Sequence, residues 1–219
     1  MKRKGKKLLT LAIVLASAFA AWTFLIQTAD VKPLGQNGTN IGFATLNLYF
    51  FKLTGVNMTL YTITDWLGLV PVCVCFVFAS AGLYQMIKRK SLFKVDIDII
   101  LLGIYYAAVI FAYLIFEEIP INYRPVLIDG RMESSYPSST TLLVLCVMPT
   151  LIFEAKKRIK NANVKKTICV LSVLFSAFTV IGRLISGVHW LTDILGGAIL
   201  SFALYSFYKA SVFLLTKEN

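Results

Sequence analysis

The sequence predicts an all-α, polytopic membrane protein with six transmembrane helices and both termini in the cytoplasm. Its 219 residues are 58% hydrophobic and only 15% charged, with a mean hydropathy of +0.74. A water-soluble domain of this length has too much surface to hide so many apolar side chains. Several apolar runs also exceed the roughly 18 residues that cross a bilayer as a helix. We therefore expect a single integral membrane domain over residues 1–219.

The net charge of +11 could suggest a nucleic-acid partner, but the positions of the basic residues indicate membrane topology instead. They cluster in residues 2–7, 88–94 and 156–166, which are short stretches between apolar runs. Such an excess of Lys and Arg typically marks the cytoplasmic loops of membrane proteins. Six spans then place most basic residues inside, including Lys217. The outside receives only Lys32, Lys52, Arg124, Arg131 and Arg183.

Each predicted span follows from an apolar run and its polar boundaries. We expect spans at residues 8–26, 60–87, 95–116, 139–153, 167–185 and 190–215. Pro71 predicts a kink early in the second span, because proline lacks the N–H of a helical hydrogen bond and clashes with the preceding turn. Between the first two spans, residues 47–53 form a candidate interfacial helix. Trp22, Trp66 and Trp190 fall at outer ends of spans, where aromatic residues of a membrane interface are enriched.

One stretch, residues 182–193, interrupts the apolar sequence between the fifth and sixth spans with three ionisable groups. It holds His189, the single histidine of the chain, with Arg183 six residues before it and Asp193 four residues after it. Ionisable groups at membrane depth are costly and by default mark a functional site. If a helix begins near His189, Asp193 lies about 6 Å further along the axis on the same face. A carboxylate there can hold one imidazole nitrogen and leave the other free to react.

The predicted topology brings Arg124 and Ser138 to the same side of the membrane as this stretch. Arginine forks match phosphate oxygens in two-point contacts, and the free N–H groups at the start of the fourth span would add donors. Together with a histidine nucleophile, these groups predict a phosphate site. His189 could instead be an interfacial residue beside Trp190. Asp193 and Ser138 could simply cap helices, and Arg124 could anchor its loop at the interface.

Neither a metal site nor a disulfide framework is predicted. The four cysteines lie inside apolar runs and form no C-x-x-C pair. His189 and Asp193 lack further histidine or cysteine ligands on their side of the membrane. We therefore expect no metal and no cofactor.

Three short motifs resemble those of the type-2 phosphatidic acid phosphatase family. Gly182-Arg183-x5-His189-x3-Asp193 is similar to its third motif, S-R-x5-H-x3-D. Tyr123-Arg124-Pro125 is similar to the end of the family's first motif, K-x6-R-P. Pro137-Ser138-Ser139-Thr140 resembles the family's second motif, P-S-G-H. The placement of the motifs relative to the spans also agrees. The resemblance covers residues 60–210, which we expect to form a phosphatase-like core.

This resemblance implies a role for each matching residue. His189 would be the nucleophile that forms a phosphohistidine, and Asp193 would orient it. The residues that would bind the phosphate are Arg124, Arg183, Ser138, Ser139 and Thr140. The substrate would be a lipid phosphate, and the reaction would need no metal.

Two functional residues of the family motifs are replaced in this chain. The first-motif lysine falls on Glu117, whose carboxylate would repel a phosphate. The second-motif histidine, which protonates the leaving oxygen, falls on Thr140, whose hydroxyl does not release a proton near neutral pH. General acid catalysis is typically worth ~10²–10⁴ in rate. Either the leaving group is good, or another residue of the same loop substitutes; the candidates are Asp129, Arg131 and Glu133.

The sequence thus predicts a membrane phosphatase that hydrolyses a lipid phosphate or diphosphate at the outer face of a bacterial plasma membrane. Candidate substrates are polyprenyl diphosphate, phosphatidylglycerol phosphate and phosphatidate, of which the diphosphate needs least acid assistance. One alternative is a catalytically impaired member that binds or transports a phospholipid. Another is a phosphotransferase, in which an acceptor alcohol resolves the phosphohistidine. Because the attacking imidazole must be neutral, we expect activity to fall in acid, with a profile that is not flat between about pH 5 and 8.

Overall fold

The computed structural model describes residues 2–216, which fold into helices and loops without a β-strand. Six segments are long and apolar enough to cross a membrane. In chain order the helices are α1 (Lys2–Thr28), α2 (Ala44–Thr54), α3 (Met58–Leu67), α4 (Leu69–Arg89), α5 (Ile97–Glu118), α6 (Ser139–Arg158), α7 (Ala162–Ile185) and α8 (Leu191–Leu215). The predicted all-α class and the six spans are confirmed. The cytoplasmic position of the termini stays a prediction, and Lys217 lies outside the described residues.

The second span consists of two helices, α3 and α4, which together cover Met58–Arg89. The break falls at Gly68, three residues before Pro71, rather than at the proline itself. Pro71 has no N–H for the carbonyl of Leu67, and its ring would clash with that carbonyl, which weakens the helix at this turn. In the first turn of α4 the same proline is tolerated. Helix α3 lies against α7.

Helix α8 forms the centre of the bundle, where it packs against α1, α5, α6 and α7. Membrane helices gain little from hydrophobic burial against one another, and small side chains let their backbones approach closely. The ring of Tyr136 lies directly against Gly196, where a Cβ would come within 2.3 Å of it. Further along, the buried face of α8 carries small residues, namely Gly197, Ser201 and Ala203.

Residues 119–138, between α5 and α6, contain a short antiparallel ladder. The Arg124 N–H donates to the Glu133 carbonyl at 3.1 Å, and the Ser135 N–H donates to the Asn122 carbonyl at 2.9 Å. The turn that joins the two arms contains Gly130 at a φ of +74°. Alternate side chains of an extended arm point to the same side. The ladder can therefore present residues 122 and 124 of one arm, and 133 and 135 of the other, to a common site.

The turn between α7 and α8 requires glycine at one position. Gly187 has a φ of +66°, and a Cβ there would lie 1.8 Å from the carbonyl oxygen of Gly55. The N–H of Asn57 donates to the Ser186 carbonyl at 3.0 Å, which fixes this turn against the start of α3. The tight approach of the two backbones positions His189, two residues further along the chain.

At the opposite end of the bundle, charged residues of α4, α5 and α6 pair with one another. Asp98 is buried and lies 2.6 Å from both Lys157 Nζ and Arg158 Nη2. Arg158 also contacts Asp96 at 3.1 Å and the buried Glu154 at 2.7 Å. We call this group the paired network; its members are Arg89, Asp96, Asp98, Glu154, Lys157 and Arg158. Each carboxylate in it contacts at least one basic side chain.

Candidate active site

The structure brings Arg124, Arg183, His189 and Asp193 together at the end of the bundle where α6 and α8 begin. His189 is only 4% exposed. Its Nε2 lies 3.2 Å from Arg124 Nη1 and 3.2 Å from Arg183 Nη2. A guanidinium group can donate but not accept hydrogen bonds. Nε2 must therefore be the acceptor, and the proton of the neutral imidazole lies on Nδ1.

Asp193 lies beside His189 but does not hold its ring directly. The distance from His189 Nδ1 to Asp193 Oδ2 is 3.8 Å, which is too long for a hydrogen bond. The hydroxyl of Ser135 stands between them: it forms a short hydrogen bond to Asp193 Oδ2 and lies 3.2 Å from Nδ1. Asp193 also accepts from the Trp190 N–H at 2.8 Å and from Asn122 Nδ2 at 3.3 Å. The Asp193 carboxylate thus caps the start of α8 and is connected to His189 through the hydroxyl of Ser135.

The three predicted phosphate ligands at the start of α6 fall into different environments. Ser138 is fully buried and caps α6, with its Oγ accepting from the Thr141 N–H at 3.5 Å. Its own N–H donates to the Asp193 carbonyl at 3.1 Å. Ser139 lines a cavity beside His189, whereas Thr140 is buried and is not part of that lining. Capping by Ser138, one of the two alternatives, is therefore observed, and phosphate binding by these side chains stays a prediction.

The cavity beside His189 has a volume of about 270 Å³. Its polar lining includes Arg124, Glu117, Glu133, Ser135 and Ser139, and its apolar lining includes Tyr113, Phe116 and Tyr136. Pockets that bury whole drug-sized ligands usually have roughly 300–1,000 Å³. The space therefore suits a phosphate or diphosphate head group with the first atoms of its ester, not an entire lipid.

Two carboxylates share this cavity with the arginine. Glu133 Oε2 lies 3.0 Å from Arg124 Nε, although the angle is too poor for a hydrogen bond. Glu117, at the end of α5, also lines the wall. Asp129 and Arg131 do not reach it, because they lie at the turn of the ladder. Of the three residues expected to replace the missing acid, only Glu133 faces the cavity.

Both arginines have donors that the described residues leave without an acceptor. The Nε atoms of Arg124 and Arg183 are buried and make no hydrogen bond within residues 2–216. The two guanidinium groups instead lie over the ring of Tyr61, at 5.7 and 4.7 Å from its centroid. A buried donor without a partner costs about 1–3 kcal/mol. These orphan donors favour a ligand rich in acceptor oxygens.

His189 is neutral in this environment. Its complete burial, and next the cationic Arg124 and Arg183, hold the pKa of the imidazole well below its usual 6.5. The ring therefore keeps a free lone pair on Nε2 at neutral pH and into mild acid. A neutral imidazole is the form that a histidine nucleophile requires.

Sequence reasoning missed Asn122, Ser135 and Tyr61. A signal for the first two existed, because Asp129-Gly130 is a typical hairpin turn and is flanked by polar residues at alternate positions. Asn122 and Ser135 belong to that alternating pattern. Tyr61 lies outside all three motifs, on a helix that was predicted to be continuous with the second span. No local sequence pattern predicts that the ring of Tyr61 contacts the guanidinium groups of Arg124 and Arg183.

Fold and site together define a helical membrane protein with a buried neutral histidine between two arginines. The chain belongs to the PAP2 superfamily, whose family model matches residues 2–217. No curated protein matches it significantly. Among solved structures, it is similar to a transmembrane PAP2 type phosphatidylglycerolphosphate phosphatase from Bacillus subtilis, with 18% identity, 99% of each chain covered and a TM-score of 0.63. At this identity the likeness shows a shared fold. The predicted membership of the family is confirmed by the family model, whereas the roles of the individual motif residues stay predictions.

Proposed function

We propose that this protein is a membrane phosphatase that cleaves a lipid phosphate or diphosphate through a phosphohistidine on His189. Its membership of the PAP2 superfamily supports a lipid phosphatase in general terms. The observation that carries the specific proposal is the position of His189 Nε2, which lies 3.2 Å from Arg124 Nη1 and 3.2 Å from Arg183 Nη2. His189 and Arg124 line the cavity, and the buried Arg183 lies behind them. This arrangement supports a nucleophile with two phosphate ligands beside it.

In the proposed reaction, Arg124 and Arg183 bind the phosphate oxygens and bring phosphorus to His189 Nε2. Peptide N–H groups at the start of α6 add donors and the positive end of a helix dipole. Nε2 attacks phosphorus while the bond to the leaving oxygen breaks, and that oxygen takes up a proton. A water molecule then attacks the phosphohistidine, which releases inorganic phosphate and restores the neutral imidazole.

The leaving oxygen needs either a proton or intrinsic stability. Thr140 supplies no proton at neutral pH, and Glu133 and Glu117, which line the same cavity, can donate one only when they are protonated. A diphosphate leaves as a phosphate and needs least assistance, which supports a polyprenyl diphosphate. The Bacillus subtilis neighbour is described as a phosphatidylglycerolphosphate phosphatase, which supports that lipid as the second candidate. Phosphatidate is the third.

The proposed orientation places this site on the outer face of a bacterial plasma membrane, with both termini in the cytoplasm. The basic residues of the paired network lie at the opposite end of the bundle, together with the clusters in residues 88–94 and 156–166. This asymmetry supports a cytoplasmic position for that end.

The second candidate function is binding or transport of a phospholipid without turnover. The observation that favours it is Glu133, whose carboxylate lies 3.0 Å from Arg124 and competes with a phosphate for that arginine. The presence of Glu117 in the same cavity adds to the repulsion. A protein of this kind would bind the phosphate group of a lipid through Arg124 and Arg183 but hydrolyse it slowly or not at all.

Phosphate release from a panel of the three lipids separates the two functions. We would compare the purified protein with His189→Ala, in detergent with a metal chelator present, and use Arg131→Ala as the control because it removes a charge of the same loop outside the cavity. We expect release that survives chelation and the control substitution but disappears in His189→Ala. A radiolabelled substrate should also leave acid-labile label on the wild-type protein and on Arg131→Ala, but not on His189→Ala. No release from any protein, with lipid binding retained, would replace the phosphatase by the binding function.

A further inference from the structure

We propose that Ser135 is a positioning residue that transmits the negative charge of Asp193 to His189. The proposal rests on the nucleophilic role of His189 proposed above. It concerns a residue outside the three motifs, and it replaces a direct contact between carboxylate and imidazole by a hydroxyl bridge.

The distances exclude a direct hydrogen bond and favour the bridge. His189 Nδ1 lies 3.8 Å from the nearest oxygen of Asp193 but 3.2 Å from Ser135 Oγ. The same Oγ makes a short hydrogen bond to Asp193 Oδ2. All three groups are buried, so bulk water does not compete for these contacts.

The direction of each hydrogen bond follows from the groups that are present. An ionised carboxylate only accepts, so the single hydroxyl proton of Ser135 goes to Asp193. The lone pairs of that hydroxyl are then free to accept from His189 Nδ1–H. The Ser135 carbonyl, also 3.2 Å from Nδ1, is a second acceptor for the same N–H.

The opposite edge of the ring requires the same tautomer. Arg124 and Arg183 can only donate to Nε2, which excludes a proton there in the neutral ring. When Nε2 bonds to phosphorus, the ring becomes cationic and Nδ1–H becomes a stronger donor. The bridge then lets the charge of Asp193 stabilise the cation without direct contact.

The ladder fixes Ser135 in the bridging position. Its N–H donates to the Asn122 carbonyl at 2.9 Å, while the Asn122 side chain donates to Asp193. The next residue, Tyr136, contacts Thr23 Oγ1 of α1 through its hydroxyl at 2.7 Å. The N–H of Ser135 and the side chain of the next residue are thus both held by hydrogen bonds, which restricts the backbone at Ser135.

A spectroscopic test uses the fact that His189 is the only histidine. Labelling with ¹⁵N-histidine gives one Nδ1–H group, whose proton shift and exchange with water report its hydrogen bond in the resting protein. In Ser135→Ala we expect an upfield shift of this proton and faster exchange. The control is Ser201→Ala, which removes an equally buried hydroxyl of α8 that donates only to backbone carbonyls. An Nδ1–H resonance in Ser135→Ala identical to that of the wild type would overturn the proposal.

A double-mutant cycle tests whether Asp193 acts through this hydroxyl. We expect Ser135→Ala to lower kcat by about 10–100-fold with little change in KM, a loss of the size found for outer partners that orient metal-bound histidines. Asp193→Asn should shift the Nδ1–H resonance and lower kcat in the wild-type background, but add little to either in Ser135→Ala. If the two substitutions shift the resonance independently, the bridge is wrong.

The resonance is measured without turnover, so it separates this proposal from the proposed function. A protein that releases no phosphate yet shows the coupled shifts supports the bridge while it refutes the phosphatase. A protein that turns over normally in Ser135→Ala, with an unchanged resonance, refutes the bridge and leaves the phosphatase intact.

Discussion

The two ends of the helix bundle both contain buried charges, but they differ in how those charges are neutralised. In the paired network, each carboxylate contacts at least one Lys or Arg. A single side chain, Arg158, contacts three of them, namely Asp96, Asp98 and Glu154. At the other end, Arg124 and Arg183 lie close to each other with a neutral histidine between them, and the Nε atom of each has no acceptor within residues 2–216. In the paired network every carboxylate has a basic partner. At the His189 site Arg124 lies 3.0 Å from Glu133 and Arg183 lies 3.4 Å from Asp65, yet the buried Nε atom of each arginine makes no hydrogen bond within residues 2–216.

This difference separates what each cluster contributes to the protein. Buried charges remain ionised only if opposite charges or hydrogen bonds replace their hydration. The paired network meets this condition internally and joins α4, α5 and α6, so its main effect is on stability. At the His189 site two buried Nε donors make no hydrogen bond within residues 2–216 and two cations lie together, so we expect its substitutions to affect activity more than stability. Substitutions in the two clusters should therefore affect different measurements.

The largest effect on activity is expected from Arg183→Ala. It removes a donor that a phosphate would use in the transition state, and the loss of one such donor typically lowers the rate by ~10²–10³. The midpoint of thermal unfolding should change little, because the substitution also removes a buried cation that has Arg124 beside it. The measurement is kcat/KM together with unfolding in detergent, with Arg131→Ala as the control. A large fall in the unfolding temperature without loss of activity would contradict the expectation that the His189 site affects activity more than stability.

The opposite outcome is expected from Arg158→Ala in the paired network. It leaves Glu154 without its ion pair and Asp98 with only Lys157. Breaking a fully buried pair costs about 3–5 kcal/mol, and because Arg158 is one third exposed we expect a smaller loss, about 1–3 kcal/mol of unfolding free energy. Activity measured well below the unfolding temperature should stay within about twofold of wild type. Lys156→Ala, an exposed neighbour, is the control, and equal unfolding temperatures for the two variants would argue against a stabilising network.

The pH dependence should be smaller and should appear only in acid. The pKa of His189 is well below 6.5 in the folded protein and about 6.5 in the unfolded chain. Its contribution to the free energy of unfolding is therefore fully present above pH 6.5 and decreases as the pH falls towards the folded pKa, by at most about 1.4 kcal/mol per pH unit. His189→Asn should remove this part of the acid sensitivity, which unfolding between pH 4.5 and pH 8 would measure.

The same shift corrects our expectation for the pH profile of activity. A flat kcat/KM between about pH 5 and 8 was expected to count against a histidine nucleophile, but a depressed pKa moves the acid limb below that of an ordinary histidine. We now expect kcat/KM to stay constant down through pH 6.5. An acid limb of kcat/KM centred near pH 7 would contradict this expectation. If that limb disappeared in Asp193→Asn, the titrating group would be Asp193 and not His189.

The parts that sequence predicted are those that depend on local spacing. Membrane spans follow from apolar runs, and Arg183, His189 and Asp193 lie within one short stretch, so their proximity needs no tertiary information. The alternating pattern around Asp129-Gly130 marks Ser135 as part of a hairpin arm but does not predict its contact with His189. No local pattern predicts the contact of Tyr61 with the arginines, because both contacts join distant segments. The kink predicted from Pro71 is observed as a break at Gly68, because a proline disturbs the turn before it.

The ladder between α5 and α6 also bears on how substrate preference can diverge among related proteins. Asn122, Arg124, Glu133 and Ser135 all belong to one connection between α5 and α6, so part of the candidate site is encoded apart from the helices that cross the membrane. Because side chains alternate along each arm, an insertion of one residue before Ser135 would turn it away from His189, whereas two extra residues in the turn would leave the pairing intact. Exchange of residues 119–138 between homologues, with length changes confined to the turn, would therefore change side chains around His189 without changing the membrane-spanning helices.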